Sequence, residues 1–275
     1  MIYGLLGNPI NRSWSEVLFN RIFELEESDH VYAAINADPH SIKRFMEKGV
    51  ETFGGFNVTI PYKEEILRYV ENRDPLVWKA GVTNVLKKEG RGFMAFNTDY
   101  SGLDFLFTEN HIDLNGKSIA IAGTGGVASI LIYYILANSS PECLHIYSRN
   151  SEIASRKIRG TWQYENMKIR DYSENGIYDI LINCTPLGMQ HTDRSPFTQE
   201  FYGDKSIAVD LTYQNDRTNF MRIAEDHGGR SLNGRDMFFK QAQETYRIFF
   251  MDECRKDIFN QARGDTLRWM TGNSF

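Results

Sequence analysis

Lys117-Ser118-Ile119-Ala120-Ile121-Ala122-Gly123-Thr124-Gly125-Gly126-Val127-Ala128 reads as a short apolar strand that runs into a glycine turn and then a helix. That context is what makes a glycine motif a dinucleotide site. The glycines admit the tight turn and a close backbone approach, and the helix N-terminus favours the anionic pyrophosphate. The motif ends on Ala128 rather than a third glycine, a variant accepted where helix and strand pack closely. A plain strand-to-helix turn is the alternative.

The same alternation continues on both sides. After Gly116, strands are predicted at Ser118 to Ala122, Leu144 to Tyr147, Tyr178 to Asn183 and Ser206 to Leu211. Before it they fall at Ile2 to Leu6, Val31 to Ile35 and Gly55 to Val58, with a ribbon from Val82 to Phe96 that turns at Glu89-Gly90-Arg91-Gly92. Helices are predicted over Ser15 to Leu25 and Asp99 to Asn110, the second as the crossing between two domains. From Asp236 to about Ala262 one long helix is expected, with Gly264 as its stop signal and a return to the first domain. The expected fold class is therefore α/β with mostly parallel sheets: an N-terminal α/β domain of residues 1–100 and 236–275, and a Rossmann-like nucleotide-binding domain of residues 101–235.

Composition narrows the function. A chain of 275 residues with a formal charge of −5, both signs interspersed and no basic run, has no electrostatic footprint for nucleic acid or an acidic membrane. Met1 to Gly7 lacks a basic n-region, and no stretch approaches the about 18 apolar residues of a spanning helix, so a cytoplasmic protein is expected. Cys143, Cys184 and Cys254 are odd in number and widely spaced, which suggests reduced thiols and neither disulfides nor a metal site. Monomer and homodimer are both compatible with this.

A second stretch carries the chemistry. Asn57-Val58-Thr59-Ile60-Pro61-Tyr62-Lys63 places a lysine in the opening turn of a helix begun by proline, where amide dipoles disfavour a cation unless Glu64 and Glu65 offset them. A nicotinamide site and such a lysine in one chain point to a dehydrogenase.

Eight motifs, in order, resemble the shikimate dehydrogenase family and its relatives that oxidise quinate. They are Gly7-Asn8-Pro9-Ile10 with Ser13-Trp14-Ser15, Asn57 to Lys63, Gly81 to Asn84, Asn97-Thr98-Asp99, the glycine turn, Asn183-Cys184-Thr185-Pro186-Leu187-Gly188-Met189, Asp210-Leu211-Thr212-Tyr213, and Gly234-Arg235-Asp236-Met237 leading to Gln241. The resemblance implies NADP-dependent, reversible reduction of 3-dehydroshikimate to shikimate, a step toward aromatic amino acids, with Lys63 and Asp99 as the catalytic pair. It further implies that Ser13 and Ser15 hold the substrate carboxylate, that Thr59, Asn84 and Gln241 bind ring hydroxyls, and that Tyr213 lies near the carboxylate end. For the cofactor it implies Gly123, Gly125, Gly126, Val127, Ala128, Ser148, Arg149, Thr185, Leu187, Gly188, Met189, Leu211, Gly234 and Met237. No metal is implied.

Each of these residues also has a plainer use. Ser13 with Glu16 forms a capping box, Asp99 is an ordinary N-cap, and Lys63 could be a solvated surface lysine. Gln241 suits a helix surface, Tyr213 a half-buried strand and Asn84 a hairpin. At the end of the second nucleotide-domain strand, Tyr147-Ser148-Arg149-Asn150 offers no acid for a ribose hydroxyl, whereas Arg149 suits the 2′-phosphate of NADP. Where the family's NADP pattern often has a second basic residue, this chain has Glu152 and Ile153, with Arg156 and Lys157 later. Arg12 and Glu16 replace the family's usual histidine and proline around the serines. Val85 follows Asn84 where threonine is usual, so a one-residue slip would give Thr83 the role of Asn84. The runner-up is a quinate/shikimate dehydrogenase using NAD or NADP. A catalytically idle sensor is a third reading, disfavoured by retention of Lys63 and Asp99.

Overall fold

The computed structural model describes residues 1–10, 13–159, 164–189 and 194–272. The chain forms two compact units, Met1–Ser101 with Phe239–Phe275, and Gly102–Phe238. In chain order the elements of the first stretch are β1 (Ile2–Gly7), α1 (Trp14–Leu25), β2 (Val31–Asn36), α2 (Ile42–Thr52), β3 (Phe53–Val58), α3 (Tyr62–Glu65), β4 (Asn72–Arg73), α4 (Pro75–Ala80), β5 (Val85–Glu89), β6 (Gly92–Phe96) and α5 (Asp99–Glu109). They are followed by β7 (Ser118–Ala122), α6 (Gly126–Asn138), β8 (Cys143–Tyr147), α7 (Ser151–Arg159), β9 (Met167–Arg170), β10 (Tyr178–Asn183), β11 (Tyr202–Asp210), α8 (Asn219–Asp226), β12 (Arg230–Asn233), α9 (Arg235–Phe250) and α10 (Lys256–Met270).

In the first unit six strands form one sheet in the order β2-β1-β3-β5-β6-β4. β1 lies parallel to β2 and β3, but β3–β5 and β5–β6 are antiparallel, so this sheet is mixed rather than mostly parallel. The ribbon connection is short, and a tight turn can join only antiparallel strands. α1 packs through Leu18, Phe19, Ile22 and Phe23, all essentially buried, each contributing about 1.5–3 kcal/mol of apolar burial. Gly7 closes β1 where a Cβ would stand 2.4 Å from Thr59 Cγ2, so only glycine lets β1 meet the segment that carries Thr59 to Lys63.

The C-terminal segment returns to this unit as two helices, not one. Met251 takes a left-handed φ of 57° and ends α9, and α10 begins at Lys256. No glycine or proline marks the break, so helical periodicity runs through it unseen. Gly264 lies inside α10, which ends instead at Thr271 and Gly272 (φ 77°). Tyr246 Oη donates to Glu26 Oε1 at 2.8 Å and Arg21 Nε to Asp265 Oδ2 at 2.8 Å, fastening both helices to α1 and its C-terminus.

In the second unit all six strands are parallel, in the order β12-β11-β10-β7-β8-β9. Numbered within the unit this is the doubly wound order 3-2-1-4-5-6, with its switch point between β7 and β10. α6 is apolar on nearly every side and its Ala128, Ile130, Leu131, Ile132, Tyr134 and Ile135 are buried. Two strands of this sheet escape the sequence pattern, β9 and β12. Both are edge strands with one neighbour and charged residues, so they lack the continuous apolar run of central parallel strands. β4, only two polar residues long, escapes for the same reason. No helix among the described residues is long and apolar enough to cross a membrane.

Candidate active site

The segment after β3 leads directly to the lysine. Pro61 occupies the cap position, and the helix it precedes, α3, is only four residues long, so the dipole argument has little to act on. Tyr62 is fully buried and donates to Ala37 O at 2.5 Å, which pins the turn. Lys63 follows, and its Nζ donates to Asp99 Oδ2 at 2.6 Å. The two side chains are 16% and 7% exposed, so this is a largely desolvated pair and not a solvated surface contact.

Asp99 begins α5, yet its carboxylate is directed elsewhere than to a cap. Oδ2 takes Lys63, and Oδ1 accepts Asn84 Nδ2 at 2.9 Å. Asn97 fixes the backbone around it, accepting Asp99 N at 3.0 Å and donating to Val82 O at 3.0 Å. Asn84 lies just before β5 and is 3% exposed. Its Oδ1 accepts Thr98 N at 2.7 Å, so the carboxamide is clamped between Thr98 and Asp99. Thr83, the slipped-register alternative, instead donates its hydroxyl to the backbone of Val85 (3.1 Å) and Phe96 (2.6 Å).

Gln241 of α9 reaches the same group, its Oε1 3.4 Å from Thr98 Oγ1. Thr59 holds its place through backbone bonds, N to Leu6 O at 2.9 Å and O from Tyr62 N at 2.9 Å. Ser13 caps α1, accepting Glu16 N at 3.0 Å, and Ser15 is buried in the first turn. The capping box is only half realised, because Glu16 Oε1 turns to β2 and accepts Ala34 N at 3.0 Å. Among the described residues no hydrogen bond joins Ser13 or Ser15 to the Lys63–Asp99 group. Arg12 lies outside the described residues.

Three residues beyond the predicted set complete this polar group: Thr98, Asn57 and Thr245. Asn57 Nδ2 donates to Thr245 Oγ1 at 3.2 Å, and Asn57 Oδ1 accepts Tyr32 Oη at 2.7 Å. Asn57 and Thr98 sit inside motifs already quoted. Thr245 belongs to none, though its position one helical turn after Gln241 puts both on one face of α9.

In the second unit the glycine turn lies at the C-terminal end of β7, at the switch point. Gly123 has a φ of 100°, and a Cβ there would come within 3.0 Å of Thr185 Cγ2 and 3.3 Å of Cys184 O. Beyond it Gly125 caps α6 with open space where a Cβ would be, and Ala128 is fully buried where α6 meets the sheet. Amides at the start of this 13-residue helix, with Gly125 at its cap, fit a pyrophosphate.

The segment Asn183 to Met189 is braced from below. Asn183 Oδ1 accepts both N (2.9 Å) and Oγ1 (2.7 Å) of Thr185, and Asn183 Nδ2 donates to Leu187 O (2.8 Å) and to Asp210 Oδ1 (3.0 Å). Burial raises the Asp210 carboxyl above its usual value, while donors from Thr218, Thr212 and Asn183 pull it back. Gly188 O accepts Asn215 Nδ2, and Leu187 and Met189 stay exposed at 37% and 42%. Leu211 N bonds Asn183 O at 3.1 Å, Gly234 N bonds Thr212 O at 2.9 Å, and Met237 is buried. Tyr213 belongs to this second unit, its ring stacked on Phe238 at 4.7 Å.

After β8, Ser148 Oγ and Asn150 bond each other, and Asn150 Oδ1 caps α7 through Ile153 N at 3.0 Å. Arg149 precedes that cap and is exposed. The side chains of Arg156 and Lys157 lie outside the described residues.

Perturbed titration points elsewhere in this unit. His145 bonds Tyr178 Oη at 2.6 Å, Tyr178 bonds Tyr147 at 2.8 Å, and burial holds His145 down at about 4. These side chains are locked together on the face of the sheet, which makes them structural. Cys143, Cys184 and Cys254 are free thiols, each pushed up by burial. Among the described residues no cluster could hold a metal ion.

Residues 5–86 match the family described as the shikimate dehydrogenase substrate binding domain. The shikimate dehydrogenase (NADP(+)) of Thermoplasma acidophilum is 32% identical over 251 residues, 90% of this chain and 90% of that protein. That of Caldicellulosiruptor saccharolyticus is 33% identical over 280 residues, 92% of this chain and 98% of that protein. The crystal structure of a chorismate mutase/shikimate 5-dehydrogenase fusion protein from Clostridium acetobutylicum superimposes with a TM-score of 0.85 at 27% identity, over 98% of each chain. With its doubly wound second sheet, its glycine turn at the switch point and relatives this similar over nine-tenths of its length, the chain belongs to the shikimate dehydrogenase family.

Proposed function

We propose that this chain catalyses the NADP-dependent, reversible reduction of 3-dehydroshikimate to shikimate. The observation that carries the proposal is the 2.6 Å contact between Lys63 Nζ and Asp99 Oδ2, set among amide and hydroxyl groups that suit a polyhydroxylated ring. Residues 1–100 and 236–275 serve as the substrate domain and residues 101–235 as the NADP domain. We place the protein in the cytoplasm, where free thiols persist.

NADP, when bound, exchanges hydride with the ring carbon. Reduction leaves an alkoxide on the ring, and Lys63 Nζ stabilises that charge and delivers the proton; in the oxidative direction it receives it. Asp99 holds the ammonium through Oδ2, while Asn84 keeps the carboxylate from turning by binding Oδ1. Asp99 is also available to accept a ring hydroxyl beside the reacting carbon. Thr59 and Gln241 bind the remaining hydroxyls, and Ser13 and Ser15, at the N-terminus of the 12-residue α1, receive the carboxylate. A polar ring needs this many partners because each one left unmatched in a closed site costs about 1–3 kcal/mol. Retention of Lys63 and Asp99 in contact opposes an idle sensor.

Gly123, Gly125, Gly126, Val127 and Ala128 would hold the pyrophosphate, and Arg149, with Ser148, the 2′-phosphate. Thr185, Leu187, Gly188, Met189, Leu211, Gly234 and Met237 would line the nicotinamide end. A guanidinium clamps a phosphate through charge-assisted bonds worth about 1.5–3 kcal/mol. Arg149→Ala should therefore weaken NADP by about 10–100-fold and leave NAD nearly unchanged, measured by titrating both cofactors into both proteins. Equal losses for the two cofactors, or none, would remove the 2′-phosphate assignment. Shikimate mixed with NADP and the wild-type protein should yield NADPH and 3-dehydroshikimate, and the absence of turnover with intact cofactor binding would favour the sensor.

A further inference from the structure

We propose that Thr245 is a positioning residue for the Lys63–Asp99 pair, acting through Thr98 and Asn84 by supplying the buried acceptor that orients the Thr98 hydroxyl. Its bearing on catalysis rests on the assignment of Lys63 and Asp99 as the proton-transfer pair. Thr245 lies in α9 with no exposed surface, one turn after Gln241. Its single hydroxyl proton goes back to Gln241 O at 2.9 Å, a bond between positions i and i−4 of the helix. The oxygen is thereby left as an acceptor only. Two groups use it, Asn57 Nδ2 at 3.2 Å and Thr98 Oγ1 at 3.2 Å.

Proton counting then runs in one direction. Thr98 has one hydroxyl proton, and it is spent on Thr245, so Thr98 Oγ1 accepts from Asn84 Nδ2 at 2.9 Å. Asn84 Nδ2 carries two hydrogens; the first goes to Thr98 and the second to Asp99 Oδ1 at 2.9 Å. Asn84 Oδ1 is occupied by Thr98 N at 2.7 Å. A Thr98 proton aimed the other way would face an Asn84 N–H, donor against donor. The carboxamide would then have to rotate, and rotation would put its oxygen beside the Asp99 carboxylate. Together with the Thr98 N–H on Asn84 Oδ1, Thr245 thus reinforces the polarity that keeps an N–H, and not a C=O, on Asp99.

The chain has a second consequence for α9. The other acceptor within reach of Thr98 is Gln241 Oε1 at 3.4 Å, a group proposed above to bind a ring hydroxyl. With Thr245 present the Thr98 proton has a nearer, fully buried acceptor. Without it the existing 3.4 Å contact to Gln241 Oε1 is the acceptor left for that proton, and Gln241 is held more firmly in the protein's own hydrogen bonding. Burial is what gives the device its force, because Thr98, Asn84, Asn57 and Thr245 are each at most 5% exposed and water cannot substitute for a missing partner.

Thr245→Val keeps the shape and removes the acceptor, while Thr245→Ser keeps the hydroxyl and removes a methyl group. Thr245→Val should stay folded and bind NADP like the wild type, yet lose about tenfold in kcat with shikimate, within the cost of a misplaced catalytic group. In the same variant, exchange of the Asn84 side-chain amide protons with water, followed by NMR, should quicken by about tenfold as its partners loosen. Thr245→Ser should restore both. A Thr245→Val protein with wild-type kcat and unchanged Asn84 exchange would overturn the proposal, and so would a failure of Thr245→Ser to restore them, since that leaves only packing. Should Thr245→Val not fold, Thr98→Val compared with Thr98→Ser breaks the same chain one link on and must give the same contrast. If the wild type turns out not to oxidise shikimate, the proposed function fails, whereas the Asn84 exchange still decides the positioning role.

Discussion

Lys63→Ala should lower kcat for shikimate oxidation by about 10²–10⁴-fold, with cofactor affinity unchanged. The size follows from what Nζ does. It is the cation at the oxygen where charge develops and the group that moves the proton, and a methyl group replaces neither. Truncation also strands Asp99, 7% exposed, as a nearly buried carboxylate without its cation. Removing one member of a buried pair costs up to about 3–5 kcal/mol, so the variant's thermal midpoint should fall as well. Circular dichroism and an NADP titration on the same sample separate loss of chemistry from loss of fold. A drop in kcat of less than about threefold, in a folded protein, would mean that Lys63 is not the acid/base.

Asp99→Asn should reduce kcat comparably, although the substitution barely changes the side chain's size. The carboxamide oxygen it introduces can still accept from Asn84, but its amide group would present hydrogens to the Lys63 ammonium, donor against donor, where the carboxylate now accepts at 2.6 Å. The ammonium would then lose both its counter-charge and its direction. Because the two residues act as one unit, the double variant Lys63→Ala/Asp99→Asn should be little slower than either single one. Its thermal midpoint should exceed that of Lys63→Ala alone, since no unpaired buried charge remains. Additive effects on kcat would show that the two groups work independently, contrary to their contact.

The second unit was the more legible of the two in sequence, and the reason is physical. β7, β8, β10 and much of β11 are central strands covered on both faces, so each is a compact apolar run, and β10 matches its expected bounds of Tyr178–Asn183. β11 starts earlier than the pattern suggests, at Tyr202, because Gly203, Asp204 and Lys205 lie across an irregular register that no apolar repeat could announce. In the first unit the antiparallel ribbon was visible from its Gly90 turn, but the break at Met251 was not, since a left-handed methionine has no sequence signature. The candidate site divides in the same way. Lys63 and Asp99 lie 36 residues apart, and only family motifs linked them before the fold brought them together. Thr245 is 188 residues from Asn57 in the chain and carries no motif, so its part in the polar group could be seen only in three dimensions.

The most direct test of the proposed function is a steady-state matrix of kcat/KM for shikimate and quinate, each with NADP and with NAD. Quinate bears an extra hydroxyl on the carbon that carries the carboxylate. A site fitted to shikimate leaves that group crowded or unpaired at about 1–3 kcal/mol, so shikimate should exceed quinate by roughly tenfold or more, and NADP should exceed NAD. Comparable values for both acids and both cofactors would instead identify a quinate/shikimate dehydrogenase of loose cofactor choice, and no turnover in any of the combinations would contradict the assignment of Lys63 and Asp99 as a working catalytic pair.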